Sequence, residues 1–174
     1  MYNIKDVVVY GTDGLCTIVD ITEKKFGNTS EEYYMLTPLS KKSNIVYVPK
    51  HNDKILLRMR KALTSSEADE FVNSLPQEYL EWTPNERERQ REYKDILLYG
   101  NPEDLFIMIR SLYDRQDKQT SIGKKLHASD ERYLRNAERM LFEELAYALD
   151  ITQSEVLAFL IKRQRQIEKQ LKKM

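Results

Sequence analysis

The 174-residue chain has 28 basic and 28 acidic residues, 41% hydrophobic and 32% charged residues, five glycines and five prolines. This composition fits one large domain or two small ones and excludes collagen-like or low-complexity sequence. The single cysteine, Cys16, excludes an internal disulfide and a multi-cysteine zinc site, and the two histidines, His51 and His127, have no ligand-spaced neighbours. No stretch nears the 18 apolar residues of a membrane-spanning helix, and Met1–Asp6 lacks a secretory signal, so a cytoplasmic protein is expected.

The first part of the chain reads as β-structure. Short apolar runs at Val7–Tyr10, Cys16–Ile21, Tyr33–Leu36, Asn44–Val48 and Ile55–Leu57 are rich in β-branched and aromatic residues. Turn signals at Gly11–Gly14, Phe26–Asn28, Lys41–Asn44 and Pro49 separate them. Strands at such spacing predict a small antiparallel barrel or sandwich.

The period becomes helical near residue 62. Ser65 or Ser66 starts a short helix that ends near Leu75-Pro76. Thr83-Pro84-Asn85-Glu86 reads as a capping box with Pro at the first helical position, and Gly100 stops that helix. Asn101-Pro102-Glu103-Asp104 starts the next, with stripe Leu105, Met108, Ile109 and Leu112. Asp117–Ala128 reads as a loop. Ser129-Asp130-Glu131 caps a long helix with stripe Leu134, Ala137, Leu141, Leu145 and Ala148, and Thr152–Glu155 is a second capping box. The expected class is α+β: a β-module over residues 1–61 and about five helices over 62–174.

The charge is uneven. Residues 1–61 carry a net +3 and the remainder a net −3, while 162–174 hold six basic residues and one acid, Glu168. Any nucleic-acid contact is therefore a local patch. Such runs also suit solvated helix faces. In the tail, Leu160, Ile167 and Leu171 continue an apolar stripe among the cations, which fits packing on the domain, pairing with a helix, or contact with phosphates. No phosphate loop, nucleophile elbow or zinc-protease motif occurs, so neither an enzyme, a cofactor, a metal nor a small-molecule substrate is expected. His51 and His127 read as exposed loop residues.

Trp82, the only tryptophan, stands just before the expected Thr83 cap. It suits a staple against its own helix, although the facing position there is Arg87. It equally suits an aromatic wedge beside basic residues, the combination that an unstacked base step requires.

The order and spacing of several short motifs resemble the CarD/CdnL family of bacterial transcription regulators. They are Asp6-x-Val8-Val9-Tyr10, Gly14, Ile18-x-x-Ile21, Gly27, Tyr33-Tyr34-x-Leu36, Val46-x-Val48-Pro49 and Leu57-Arg58 in the first half. The helical half adds Trp82, Tyr93-Lys94, Gly100-Asn101, Asp104-Leu105, Ile109-Arg110-x-Leu112, Ser129-x-Glu131-Arg132-x-Leu134, Ala137 and Glu144-Leu145-Ala146. The resemblance implies a Tudor-like barrel, shared with transcription–repair coupling factors, that binds a lobe of the RNA polymerase β subunit. It implies a helical domain that contacts promoter DNA at the upstream edge of the melting bubble, where a Trp enters the minor groove and stabilises the open complex.

Residue by residue, the resemblance assigns polymerase contact to Lys24 and to the strand Ile45, Val46, Tyr47 and Val48, with Tyr47 standing where some members carry a second basic residue. It assigns the wedge to Trp82, with Arg89, Arg91 and Lys94 all eligible to accompany it, and DNA contact to Arg115 and Arg132. The chain departs from the family at Lys5-Asp6, where the family has Gly-Asp, and Trp82 lies about one helical turn further from Gly100 than the family pattern places it. The alternative is a protein–protein adaptor in which the barrel binds another bacterial factor and Trp82 is structural.

Overall fold

The computed structural model describes residues 2–40 and 43–172. The chain divides into two units. One runs to Ala62 and takes in Leu98–Gly100; the other holds Leu63–Leu97 and the chain from Asn101 onward.

In the first unit, β1 (Val7–Tyr10), β2 (Gly14–Phe26), β3 (Thr29–Pro38), β4 (Val46–Pro49) and β5 (Met59–Lys61) form one antiparallel sheet in the order β4-β3-β2-β1-β5. This is the expected Tudor-like module, with β4 and β5 as its edges. A bulge between Ile18 and Asp20 bends the long β2–β3 hairpin. Gly27 closes that hairpin at φ +61, a conformation that other residues resist. Val8, Cys16, Ile18, Tyr34, Leu36, Val48 and Met59 form the core. Tyr2 seals one side, its ring edge-on to Tyr34 at 5.9 Å and its hydroxyl donating to the Met59 carbonyl at 2.8 Å.

The expected strand at Ile55–Leu57 is instead part of a helical turn, α1 (Asp53–Leu56). The Asn52 side chain accepts from the Ile55 N–H at 3.2 Å and starts the turn, and the fifth strand follows at Met59. Lys5 adopts φ +76 and donates its N–H to the Ile18 carbonyl at 2.7 Å.

The second unit contains α2 (Ser65–Asn73), α3 (Glu86–Tyr99), α4 (Pro102–Ser121), α5 (Ala128–Leu149) and α6 (Gln153–Leu171). The stripes of α4 and α5 meet as expected: Leu105, Met108 and Leu112 pack with Ala137, Leu141 and Leu145, joined by Val72 of α2 and Val156 and Leu160 of α6. Glu144, 1% exposed, accepts the Leu63 N–H at 3.0 Å. No helix among the described residues is long and apolar enough to cross a membrane.

Several helix ends differ from expectation. Thr64 caps α2 with Glu67, one residue before Ser65. α3 starts at Glu86 with Asn85 accepting the Arg87 N–H, not at Pro84 after a Thr83 cap. α4 runs on to Ser121, into the first five residues of the segment expected to be a loop, helped by the Asp114–Lys118 pair at 2.7 Å, while residues 122–127 form the expected loop. α5 is capped by His127 rather than Ser129. The capping box of Thr152 and Glu155 is present as expected, and the hydrogen bonds from Thr152 hold the Glu155 carboxyl below the usual carboxylate range.

Candidate functional site

In the first unit, β4 pairs with β3 on one side only. The Lys50 N–H donates to the Glu32 carbonyl at 2.9 Å. By the alternation of antiparallel pairing, Val48 and Val46 then bond inward to β3, and Tyr47 turns its own N–H and carbonyl outward. Val48 is fully buried, Val46 half-buried, and Ile45 and Tyr47 are exposed. Lys24 Nζ from β2 lies 3.2 Å from the Tyr47 ring centroid. The Tyr47 ring is thus joined to a cation, and the two make one surface. Beside them Glu32 pairs with Lys50 at 3.1 Å and His51 at 3.2 Å, and the Lys50 hydrogen bond, followed by that of His51, holds the Glu32 carboxyl below its usual range.

In the second unit the segment before α3 is fixed by side chains. The Leu80 N–H donates to Ser111 Oγ at 2.8 Å, Arg110 Nη1 donates to the Pro76 carbonyl at 3.2 Å, and the Arg110 guanidinium lies 4.2 Å from the Tyr79 ring. This delivers a partly exposed Trp82 to a pair of arginines. Arg89 in the first turns of α3 and Arg115 in α4 each hold their guanidinium 4.1 Å from the indole centroid. Gln119, one turn beyond Arg115, accepts from Arg115 Nη2 and Nε at 2.8 and 3.2 Å with its amide oxygen turned inward.

Arg89 is 5% exposed and its charge is committed. Nη1 donates to the Thr83 and Pro84 carbonyls at 2.8 and 3.1 Å, and Nη2 donates to Asp130 Oδ2 at 3.1 Å. The engagement of these two carbonyls explains why α3 begins after Pro84. Asp130 is fully buried, and its Oδ1, like Arg89 Nε, makes no hydrogen bond among the described residues. Arg89, Arg115, Lys125, His127 and Asp130 line an open hollow beside Trp82. His127 Nδ1 contacts Ser129 Oγ at 2.7 Å and Glu86 at 3.5 Å.

Of the residues eligible to accompany Trp82, Arg89 is the one in contact with it. Arg91, two residues on and so about 200° round the helix, lines a separate cleft with Glu88, Glu92, Asp95 and Asp104. Lys94 and Arg132 are on the surface, with Arg132 5.9 Å from the ring of its neighbour Tyr133. Asp130 escaped the sequence reading because an acid in a helix's first turn ordinarily marks a solvated cap. Among the described residues no group of three or more His, Cys, Asp or Glu could hold a metal ion.

The family comparisons agree with this two-part layout. The family model for the CarD-like/TRCF RID domain matches residues 2–62, and that for the CarD C-terminal domain matches residues 70–161. A search of curated proteins found no match. With the second match alone spanning more than half of the 174 residues, and the first preceding it, the chain belongs to the CarD family of RNA-polymerase-interacting, transcription-related proteins.

Proposed function

We propose that this protein binds the lobe of the RNA polymerase β subunit through residues 1–61 and, through residues 62–174, stabilises the promoter open complex. Tyr47 offers the lobe an outward-facing N–H and carbonyl at a sheet edge, which suits pairing with a strand of the partner. Lys24, Ile45 and the Tyr47 ring add side-chain contact around it. The helical domain contacts DNA at the upstream edge of the bubble with Trp82 as the minor-groove wedge and Arg115 as its phosphate partner; Arg91, Lys94 and Arg132 make outer contacts. The role is binding, not catalysis, and the site of action is the cytoplasm.

The observation that carries this reading is a partly exposed indole with two guanidinium groups 4.1 Å away, an aromatic ready to insert with cations alongside. Differential affinity for the melted state is what shifts the promoter equilibrium. The same stacking also suits a structural Trp82 in an adaptor that binds another factor.

Binding of the purified protein to an isolated, folded β lobe tests the first half. The expected result is specific binding that a Lys24→Ala/Tyr47→Ala variant weakens. Absence of binding by the unmodified protein favours the adaptor.

A further inference from the structure

The basic end of α6 is accounted for neither by the family match, which stops at residue 161, nor by the Trp82 site. Beyond that point Lys162, Arg165, Lys169 and Lys172 follow at intervals of three and four residues. At 100° per residue they fall within about 80° of one another, on one face about 15 Å long. All four are exposed. The opposite face carries the core contacts: Val156 and Leu160 are buried and Ile167 packs against the same cluster. The stripe is therefore held outward by packing.

This face is more one-sided in charge than the other helices, although Glu168 stands four residues before Lys172 and Arg165 borders a cleft that Asp114 and Asp117 also line. Elsewhere the helices pair their charges at i,i+4, as in Asp114–Lys118 at 2.7 Å, Glu131–Arg135 at 3.7 Å and Arg139–Glu143 at 3.5 Å. In α6, Arg165 and Lys169 are like charges at that spacing, a mildly destabilising arrangement. Among the described residues none of the four cations forms an ion pair. Glu168, the single acid of the segment, instead accepts from Gln164 at 3.1 Å. The helix dipole favours cations only in the last turn, so it does not account for Lys162 or Arg165.

We infer that the outer face of α6, formed by Lys162, Arg165, Lys169 and Lys172, is a binding surface for the phosphate backbone of duplex nucleic acid. Over 15 Å a B-DNA strand presents about four phosphates, one for each cation. An anionic membrane fits less well, because an interfacial helix needs a broad apolar face beside its cations. In α6, Val156 and Leu160 are buried in the unit, Leu157, Phe159 and Ile167 pack against the same core, and among the described side chains Ile161 alone of its large apolar residues is exposed. The mutual hydrogen bonds of Gln77 and Gln164, at 2.9 and 3.4 Å, tie this half of α6 to the segment that leads to Trp82. The inference goes beyond the wedge reading and does not depend on it.

The test is fluorescence anisotropy of the full chain with a labelled 20-base-pair duplex lacking promoter elements, between 50 and 200 mM KCl. Four neutralised phosphates predict a log–log salt slope near −3.6, or about a 150-fold loss of affinity across that range. Lys162→Gln/Arg165→Gln/Lys169→Gln/Lys172→Gln keeps helix propensity and is expected to lower affinity at 50 mM KCl at least tenfold and to flatten the slope. The half-variants Lys162→Gln/Arg165→Gln and Lys169→Gln/Lys172→Gln, each checked by circular dichroism, should each remove about half of the slope. Lys54→Gln, at an exposed cation of the first unit, should leave it unchanged. Absence of duplex binding by the unmodified chain, unchanged affinity in the variants, or tighter binding to phosphatidylserine vesicles than to the duplex overturns the inference. Failure of the wedge reading alone would leave the salt slope intact.

Discussion

Arg89 stacks its guanidinium 4.1 Å from the Trp82 centroid and, with the same group, donates to the buried Asp130 carboxylate at 3.1 Å. The residue that positions the indole is thus half of a buried ion pair. Removing one partner of such a pair strands the other charge. Arg89→Ala is expected to destabilise the helical unit by about 3–5 kcal/mol in urea unfolding. Arg89→Met combined with Asp130→Leu should recover most of that loss, because no charge is then left buried. A single variant as stable as the parent would show that the pair does not hold the site.

Arg115 touches the same ring but is not buried. An exposed cation–π contact is worth about 0.5–1 kcal/mol. Arg115→Ala should therefore cost stability by no more than about 1 kcal/mol while raising the access of acrylamide to Trp82. As Trp82 is the only tryptophan, intrinsic fluorescence reports on it directly. Unchanged quenching would mean that Arg115 does not cover the indole.

Lys5 pays for a left-handed backbone at φ +76. An L side chain in this region costs about 1–2 kcal/mol, partly offset in any glycine variant by greater freedom of the unfolded chain. Lys5→Gly is expected to raise stability by up to about 1 kcal/mol, read as a higher denaturation midpoint at unchanged slope. A lower midpoint would contradict this account of strain at Lys5.

Tyr93, 3% exposed, packs edge-on to Tyr133 at 5.5 Å. Burial first, then the charge of Asp130, pushes its phenol up to about 12. A raised folded-state value means stability that is complete below the unfolded value near 10 and is lost as pH rises toward 12. Alkaline unfolding monitored by circular dichroism should steepen across that window and flatten in Tyr93→Phe. Burial, then donation to Glu138, also raises Tyr113, so the variant flattens the limb without abolishing it.

The strands at Val7–Tyr10 and Tyr33–Leu36 were legible because β-branched and aromatic runs lay between clear turn signals. The stripes of α4 and α5 were legible from their period. The turn at Asp53–Leu56 was not, because a short apolar run has no period and the outcome rested on one Asn52 hydrogen bond. The end of α4 was missed because its last turns are polar on all sides and are held by local pairs such as Asp114–Lys118. Sequence singled out Trp82 but left Arg89, Arg91 and Lys94 open as its companions. The choice of Arg89 depends on Asp130, 41 residues away, and on carbonyls whose direction no residue type announces.

The most direct test of the central claim is the lifetime of promoter open complexes after competitor challenge, measured with the unmodified protein and with Trp82→Ala at concentrations that saturate polymerase equally. The account predicts a longer lifetime with the unmodified protein, lost in the variant while polymerase binding is retained. Equal lifetimes with both proteins would contradict it.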